Sequence, residues 1–304
     1  MKKAEVVILS GFLGTGKTTL LKRILLDEKE KGRSVAVLMN ELGDVSIDSD
    51  AVESDVPLKE LLGGCICCTI QDKLESQLQG LLLEHRLDVI YIETTGAAHP
   101  VEVLDAVLSP LFADKLGIKG IITTVDGTLW LNRQTFNPQI HQLLLEQVKH
   151  ADIILINKSD MLKDAEQARV TMEIQSLNPN GKSILTTFSK MPLSLLDSVD
   201  GGKKKANVHT HVHSDLRLDT FLYRFKSQIE QARFEEFLRG LPDSIYRIKG
   251  YVWFSHSQYP DLFQYSYGTP LFLKEYMKMP MNLVFIGQVS DWSVIESQLC
   301  QMER

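Results

Sequence analysis

AEVVILSGFLGTGKTTLLKRIL, residues 4–25, runs from a continuous apolar stretch through a glycine-rich turn into an amphipathic repeat. The apolar run 4–10 predicts a strand buried on both faces of a parallel sheet, ended by Gly11. From Thr18 to Lys31 the apolar residues Leu20, Leu21, Ile24 and Leu25 follow helical spacing, and Gly32 is placed to stop the helix. Between strand and helix, residues 11–18 fit G-x-x-x-x-G-K-[ST] in the context that gives this pattern its meaning. Gly11, Gly14 and Gly16 let the backbone curl around phosphates. Thr15 and Thr19 fall in the same cradle, and the helix N-terminus favours an anion there. Lys17 is then a point charge for the β/γ-phosphates, and the Thr18 hydroxyl a ligand for Mg²⁺. A mere tight turn would require neither residue.

Working outward, strands are predicted at 34–39, 87–94, 119–126, 151–157 and 182–187, with a helix at 71–86. Alternating strands and helices imply a parallel α/β sheet with right-handed crossovers. Residues 198–215 then bring a glycine pair, a lysine run and alternating histidines, which read as a linker or exposed loop. The expected architecture is an α/β P-loop NTPase domain, residues 1–200, with a mainly parallel sheet flanked by helices. A smaller α+β domain follows at 201–304. In it, strands are expected around 216–225, 246–255, 261–268 and 281–288, and helices at 229–240 and 291–301.

The 33 basic and 39 acidic side chains leave a net charge of −6. That is opposite to the field that nucleic-acid binding needs, so no nucleic-acid partner is expected. The two lysines and short apolar run at the start are too brief for a secretory signal, and no apolar stretch approaches the roughly 18 residues of a membrane span. A soluble, cytoplasmic chain without membrane contact is expected.

NKSD, residues 157–160, follows a predicted buried strand, where open α/β sheets bind ligands. Asp160 can accept from guanine N1–H and its exocyclic amine, whereas adenine presents an acceptor there and would leave the carboxylate unpaired. Asn157 would brace the loop and the Lys158 stem would lie along the base. GTP and GDP are therefore the expected nucleotides. In VIYIETTG, residues 89–96, Glu93 ends a strand where it can hold Mg²⁺ through water or orient the attacking water, and Gly96 can approach the γ-phosphate. The acids Glu41, Asp44 and Asp48 lie in a segment, 40–48, placed to sense the nucleotide, or simply in a solvated loop.

GGCICCT, residues 63–69, holds three of the four cysteines. Clustered thiols in a reducing compartment bind metal or do redox chemistry more often than they staple a fold. Thiolates at Cys65, Cys67 and Cys68 select Zn²⁺ or a similar soft ion, while Mg²⁺ stays with oxygen. Three sulfurs leave a tetrahedral zinc one open position, suited to transfer. Glu41 is a candidate oxygen ligand, although the fourth position is left open. Cys65 and Cys68 also have C-x-x-C spacing, so a reversible disulfide that gates hydrolysis is the redox alternative. A GTPase switch that carries no metal is a further one. Cys300 is expected to be an ordinary half-buried helix residue. His209, His211 and His213 would form a metal-collecting strip if extended, or simply a polar linker.

GFLGTGKTT, NELGDV, GGCICC, IETTG, NKSD, RIKGYVWF and FIGQ together resemble the CobW-type metallochaperone GTPases, relatives of the nickel-inserting GTPases for urease and hydrogenase. The resemblance spans the chain. It implies GTP hydrolysis coupled to delivery of a transition metal, most often zinc or cobalt, to a client metalloprotein, and a homodimer among its assemblies. The chain departs from the family pattern at Met39-Asn40-Glu41, where many members carry Glu-Asn-Glu, and at Asp44, where glutamate is frequent.

Overall fold

The run at residues 4–10 forms strand β1, Ala4–Ser10, in which Val6, Val7, Ile8 and Leu9 are all buried. Burial of four consecutive side chains requires cover on both faces, which is the signature of a parallel sheet between helices. The computed structural model describes residues 2–39, 58–60, 70–198, 209–212, 218–266, 269–287, 289 and 291–303. The chain continues as α1 (Lys17–Glu30), β2 (Val35–Met39), β3 (Leu58–Glu60), α2 (Ile70–Glu84), β4 (Val89–Glu93), α3 (Pro100–Val107) and β5 (Leu116–Asp126). Then come α4 (Gly127–Leu131), α5 (Pro138–Lys149), β6 (Ile153–Asn157), α6 (Asp164–Leu177), β7 (Lys182–Leu185) and α7 (Ser194–Ser198).

These strands form one sheet in the order β3-β2-β4-β1-β5-β6-β7, and each neighbouring pair is parallel. Successive residues serve opposite faces. Ile153 and Leu155 of β6 join a core with Val7, Leu9 and the α1 residues Leu20, Leu21 and Ile24, whereas Ile154 and Ile156 join Trp130, Val148, Val170 and Ile174. Helix α1 stops as expected, with Gly32 just beyond it at φ 64. Because β1 lies between β4 and β5, the chain leaves it toward β2 on one side and later reaches β5 on the other. Such a reversal opens a crevice at the carboxyl ends of the strands. Glu93, Asp126 and Asn157 each end a strand there.

The second sheet contains β8 (His209–Val212), β9 (Leu218–Arg224), β10 (Ile245–Val252), β11 (Asp261–Ser266), β12 (Thr269–Lys274) and β13 (Asn282–Gly287). Its order is β12-β11-β10-β13-β9-β8, antiparallel throughout. Helices α8 (Gln231–Arg239) and α9 (Ser293–Met302) contribute Phe234, Leu238, Ile295 and Leu299 to a core with Phe221, Ile248, Phe263 and Phe285. Strand β8 corrects the linker reading of its residues: His209 and His211 pair in register with Phe221 and Asp219 of β9. His213 lies outside the described residues. Cys300 is exposed rather than half-buried, and its sulfur receives the Tyr223 hydroxyl at 3.4 Å.

The chain forms two compact units, Met1–Val107 with Lys115–Gly201, and Leu108–Asp114 with Gly202–Arg304. The second unit is therefore discontinuous in sequence. Buried Asn282 donates to the Pro110 carbonyl at 3.0 Å, and Arg224 pairs with Asp114. Among the described residues, no helix is long and apolar enough to cross a membrane.

Candidate nucleotide site

The turn between β1 and α1 is built on left-handed backbone, with φ 134, 69 and 107 at Gly11, Gly14 and Gly16. Gly16 shows why a side chain is excluded: a Cβ there would lie 2.4 Å from Ser189 Oγ and 2.5 Å from Asn157 Nδ2. Gly16 is also the N-cap of α1, which has no side-chain cap and no acid in its first turn. The leading N–H groups of the helix are thus unblocked by any capping side chain, as a phosphate site requires.

Lys17 is buried and folds back over the turn, its Nζ donating to the carbonyls of Gly11 at 2.9 Å and Phe12 at 3.0 Å. Thr18 Oγ1 donates to Glu93 Oε1 at 2.7 Å, so two residues 75 positions apart in sequence meet at the mouth of the crevice. Buried Thr15 anchors the turn from beneath through Thr124 Oγ1 at 2.7 Å and the Phe12 carbonyl at 2.8 Å. Thr19 is exposed on α1. Gly96 packs directly on the turn, since a Cβ on it would sit 2.6 Å from the backbone nitrogen of Leu13. Buried Gln147 holds the same loop from α5, donating to the carbonyls of Gly96 at 3.2 Å and Ala98 at 3.3 Å.

On the other side of the turn, buried Asn157 uses both ends of its amide. Nδ2 donates to the Thr15 carbonyl at 2.7 Å and Ser189 Oγ at 3.1 Å, and Oδ1 accepts from Ser189 N at 2.9 Å. Ser189 Oγ in turn donates to the Gly16 carbonyl at 3.0 Å. One side chain therefore couples the phosphate turn, the NKSD turn and the loop after β7. That loop carries strain: Phe188 and Ser189 both have φ 52, unusual for residues with a Cβ. Lys158 is left-handed too, at φ 58, and its ammonium meets Asp126 Oδ2 at 2.6 Å. Asp126 also caps α4, its Oδ1 accepting from Thr128 N, Thr128 Oγ1 and Leu129 N. Burial pushes this carboxyl up, but the Lys158, Thr128 and Leu129 donors outweigh burial and hold it below the usual aspartate range. Asp160 is exposed and accepts no hydrogen bond among the described residues.

The structure thus gathers Gly11, Gly14, Thr15, Gly16, Lys17, Thr18, Glu93 and Asn157 around one turn, with Lys158 and Asp160 at its edge. Cys65, Cys67, Cys68 and Glu41 lie outside the described residues. Asp126, Ser189 and Gln147 join the site beyond the residues expected from the sequence. Asp126 had a legible signal, as the last residue of a strand followed by Gly127 and Thr128. Ser189 and Gln147 had none, because their partners are distant in sequence.

Known proteins resemble this chain in both of its halves. Zinc-regulated GTPase metalloprotein activator 1 of Dictyostelium discoideum is 27% identical over 302 residues, 83% of this chain and 63% of that protein. Zinc chaperone CobW of Pseudomonas aeruginosa is 31% identical over 226 residues, 64% of this chain and 60% of that protein. The chain thus spans less than two thirds of the length of these curated relatives. The crystal structure of Zn(II)-bound YjiA GTPase from Escherichia coli shares the fold, with a TM-score of 0.50 at 23% identity and full coverage of both chains. Residues 218–303 match the cobalamin synthesis protein cobW C-terminal domain. Since residues 5–185, more than half of the chain, match the CobW/HypB/UreG nucleotide-binding domain, the chain belongs to that family.

Proposed function

We propose that this protein hydrolyses GTP and couples the hydrolysis to transfer of a transition metal, zinc first among them, to a client protein. The observation that carries the nucleotide half is the contact between Thr18 Oγ1 and Glu93 Oε1 at 2.7 Å, beside the uncapped start of α1. A hydroxyl and a carboxylate in contact there form a hard oxygen pair, which fits Mg²⁺ bound directly by Thr18 and through water by Glu93. The ion would supply charge neutralisation to the phosphates.

The chain's own residues do the rest. Lys17 exchanges the carbonyls of Gly11 and Phe12 for the β/γ-phosphates, and the N–H groups of residues 14–19 cradle the same oxygens. Asp160 receives the two guanine donors, with the Lys158 stem held against the base by Asp126. Asn157 keeps the base and phosphate halves in register. Glu93 is placed to orient water at the γ-phosphate, and Gly96 reports its presence to the loop that Gln147 holds.

The metal half rests on Cys65, Cys67 and Cys68, with Glu41 as an additional oxygen, and is supported by the zinc named in the relatives' descriptions. Segments 40–48 and 63–68 order around Mg·GTP and relax after hydrolysis. A nucleotide that changes metal affinity is then changed in affinity by the metal to the same factor. The test is a Zn²⁺ competition titration on fully reduced protein, once with Mg·GDP and once with a non-hydrolysable Mg·GTP analogue. A shift of about tenfold, ~1.4 kcal/mol of coupling, that vanishes in Cys67→Ser supports the chaperone. Zinc binding that ignores the nucleotide would make the thiol site structural. No thiol-bound zinc, with a reversible disulfide instead, would favour a redox-gated GTPase.

A further inference from the structure

His99, Glu146 and His150 bring one ligand atom each to within 4.8 Å of one another, where the loop after β4 meets α5. Glu146 and His150 are four residues apart at the end of α5, so both face the same way, and His150 Nε2 already lies 3.2 Å from Glu146 Oε2. In a tetrahedral site with bonds of about 2.0–2.1 Å, ligand atoms are separated by roughly 3.4 Å. The helix pair is therefore at ligating distance, and His99 need close little more than an ångström. Glu146 Oε1 accepts from Lys149 at 2.9 Å and Gln142 at 2.7 Å, which fixes the carboxylate while Oε2 meets His150. The carbonyl end of α5 adds negative potential at His150. His150 itself is buried, whereas His99 and Glu146 open onto a cleft of about 740 Å³ that also touches Ala97, Pro138 and Leu143. An ion has a way in.

We propose that His99, Glu146 and His150 form a second metal site in this protein, taking one ion of the Zn²⁺ class through two nitrogens and one oxygen, with an open fourth position. It draws on none of the three clustered cysteines. Its place gives it a consequence: His99 ends the loop that begins after Glu93, whose Gly96 packs on Leu13 and whose carbonyls are held by Gln147. An ion bridging His99 to α5 fastens that loop to the helix, so metal at this site restrains the segment that carries Gly96.

The experiment is Zn²⁺ titration against a chromophoric chelator, with zinc-edge X-ray absorption, on full-length reduced protein carrying Cys65→Ser, Cys67→Ser and Cys68→Ser. One equivalent should remain, with a shell of nitrogen and oxygen only. Adding His99→Ala, or Glu146→Gln if that variant folds poorly, should weaken it at least roughly tenfold, while His99→Asp, which keeps a ligand, should retain it in part. A cysteine-free protein that binds no zinc, or one whose zinc is indifferent to both changes, overturns the site and leaves an ordinary helix ion pair. Equal stoichiometry in wild type and the cysteine-free variant would instead count against the thiol site and leave this one standing.

Discussion

The two sheets of this protein bury similar residues in opposite ways. In the parallel sheet both faces are covered, and side chains able to act on a ligand gather where the strands end: Glu93, Asp126 and Asn157. The antiparallel sheet takes its helices into a core where Phe221, Tyr223 and Phe225 recur at every second residue, and Phe263 lies edge-on to Phe234 at 4.9 Å. One arrangement concentrates polar chemistry at an edge, whereas the other devotes its strands to packing. Perturbing them should therefore give different symptoms.

The largest effect is expected in the second sheet. Phe263 is fully buried, and Phe263→Ala should cost about 3–5 kcal/mol of stability, read by calorimetry, with GDP affinity unchanged. A parallel loss of GDP affinity would break the division of labour between the units. Next, Lys17→Ala should lower GTP turnover by roughly 10²–10³, with a stability loss of about 1 kcal/mol from the hydrogen bonds its ammonium gives to the carbonyls of Gly11 and Phe12. Third, Asn157→Ala leaves Ser189 N and the Thr15 carbonyl without their amide partner inside the protein. A cost of about 1–3 kcal/mol is expected, appearing in both thermal stability and GDP affinity. If GDP affinity does not move, the brace is not what holds the two halves of the site in register.

The smallest effect concerns the opposite end of the parallel sheet. Asp152, just before β6, accepts from Ile121 N at 2.7 Å, yet burial pushes its carboxyl up to about 6. A raised carboxyl favours the protonated native state, so its contribution is complete below about pH 4, the ordinary aspartate value, and is lost as pH rises toward 6. Asp152→Asn keeps an acceptor for Ile121 and should stabilise the protein by roughly 1 kcal/mol at pH 7, less than the full shift because solvent reaches the site. The gain should disappear at pH 3, and GTP turnover should be indifferent throughout. Denaturant titrations at the two pH values check the sign.

Much of this was legible in order of chain. Residues 4–25 announced strand, turn and helix because their contacts are local: hydrogen bonds along α1, a stop at Gly32, and glycines wherever the backbone is left-handed. The strands expected at 87–94, 119–126 and 151–157 were legible from apolar runs, although β5 begins three residues earlier, at Leu116. Strand β12 was not: TPLFLK lies at a sheet edge with every residue but Phe272 exposed, so it lacks the alternation that marks a half-buried strand. Strand β8 was hidden among polar histidines and owes its form to pairing with β9, not to its own composition.

By itself, then, the sequence determined the residue types of the nucleotide site, since strand–turn–helix geometry and phosphate chemistry both act over a few neighbouring positions. Only the tertiary structure decided who meets whom. Thr18 finds Glu93, and Asn157 finds Thr15 and Ser189, because the strand order sets β1 between β4 and β5, with β6 next to β5, and brings their carboxyl ends to one edge, whereas His99 finds Glu146 and His150 because the loop after β4 packs on α5. Strand order is fixed by the burial of whole faces, a cooperative quantity that no short stretch of residues carries.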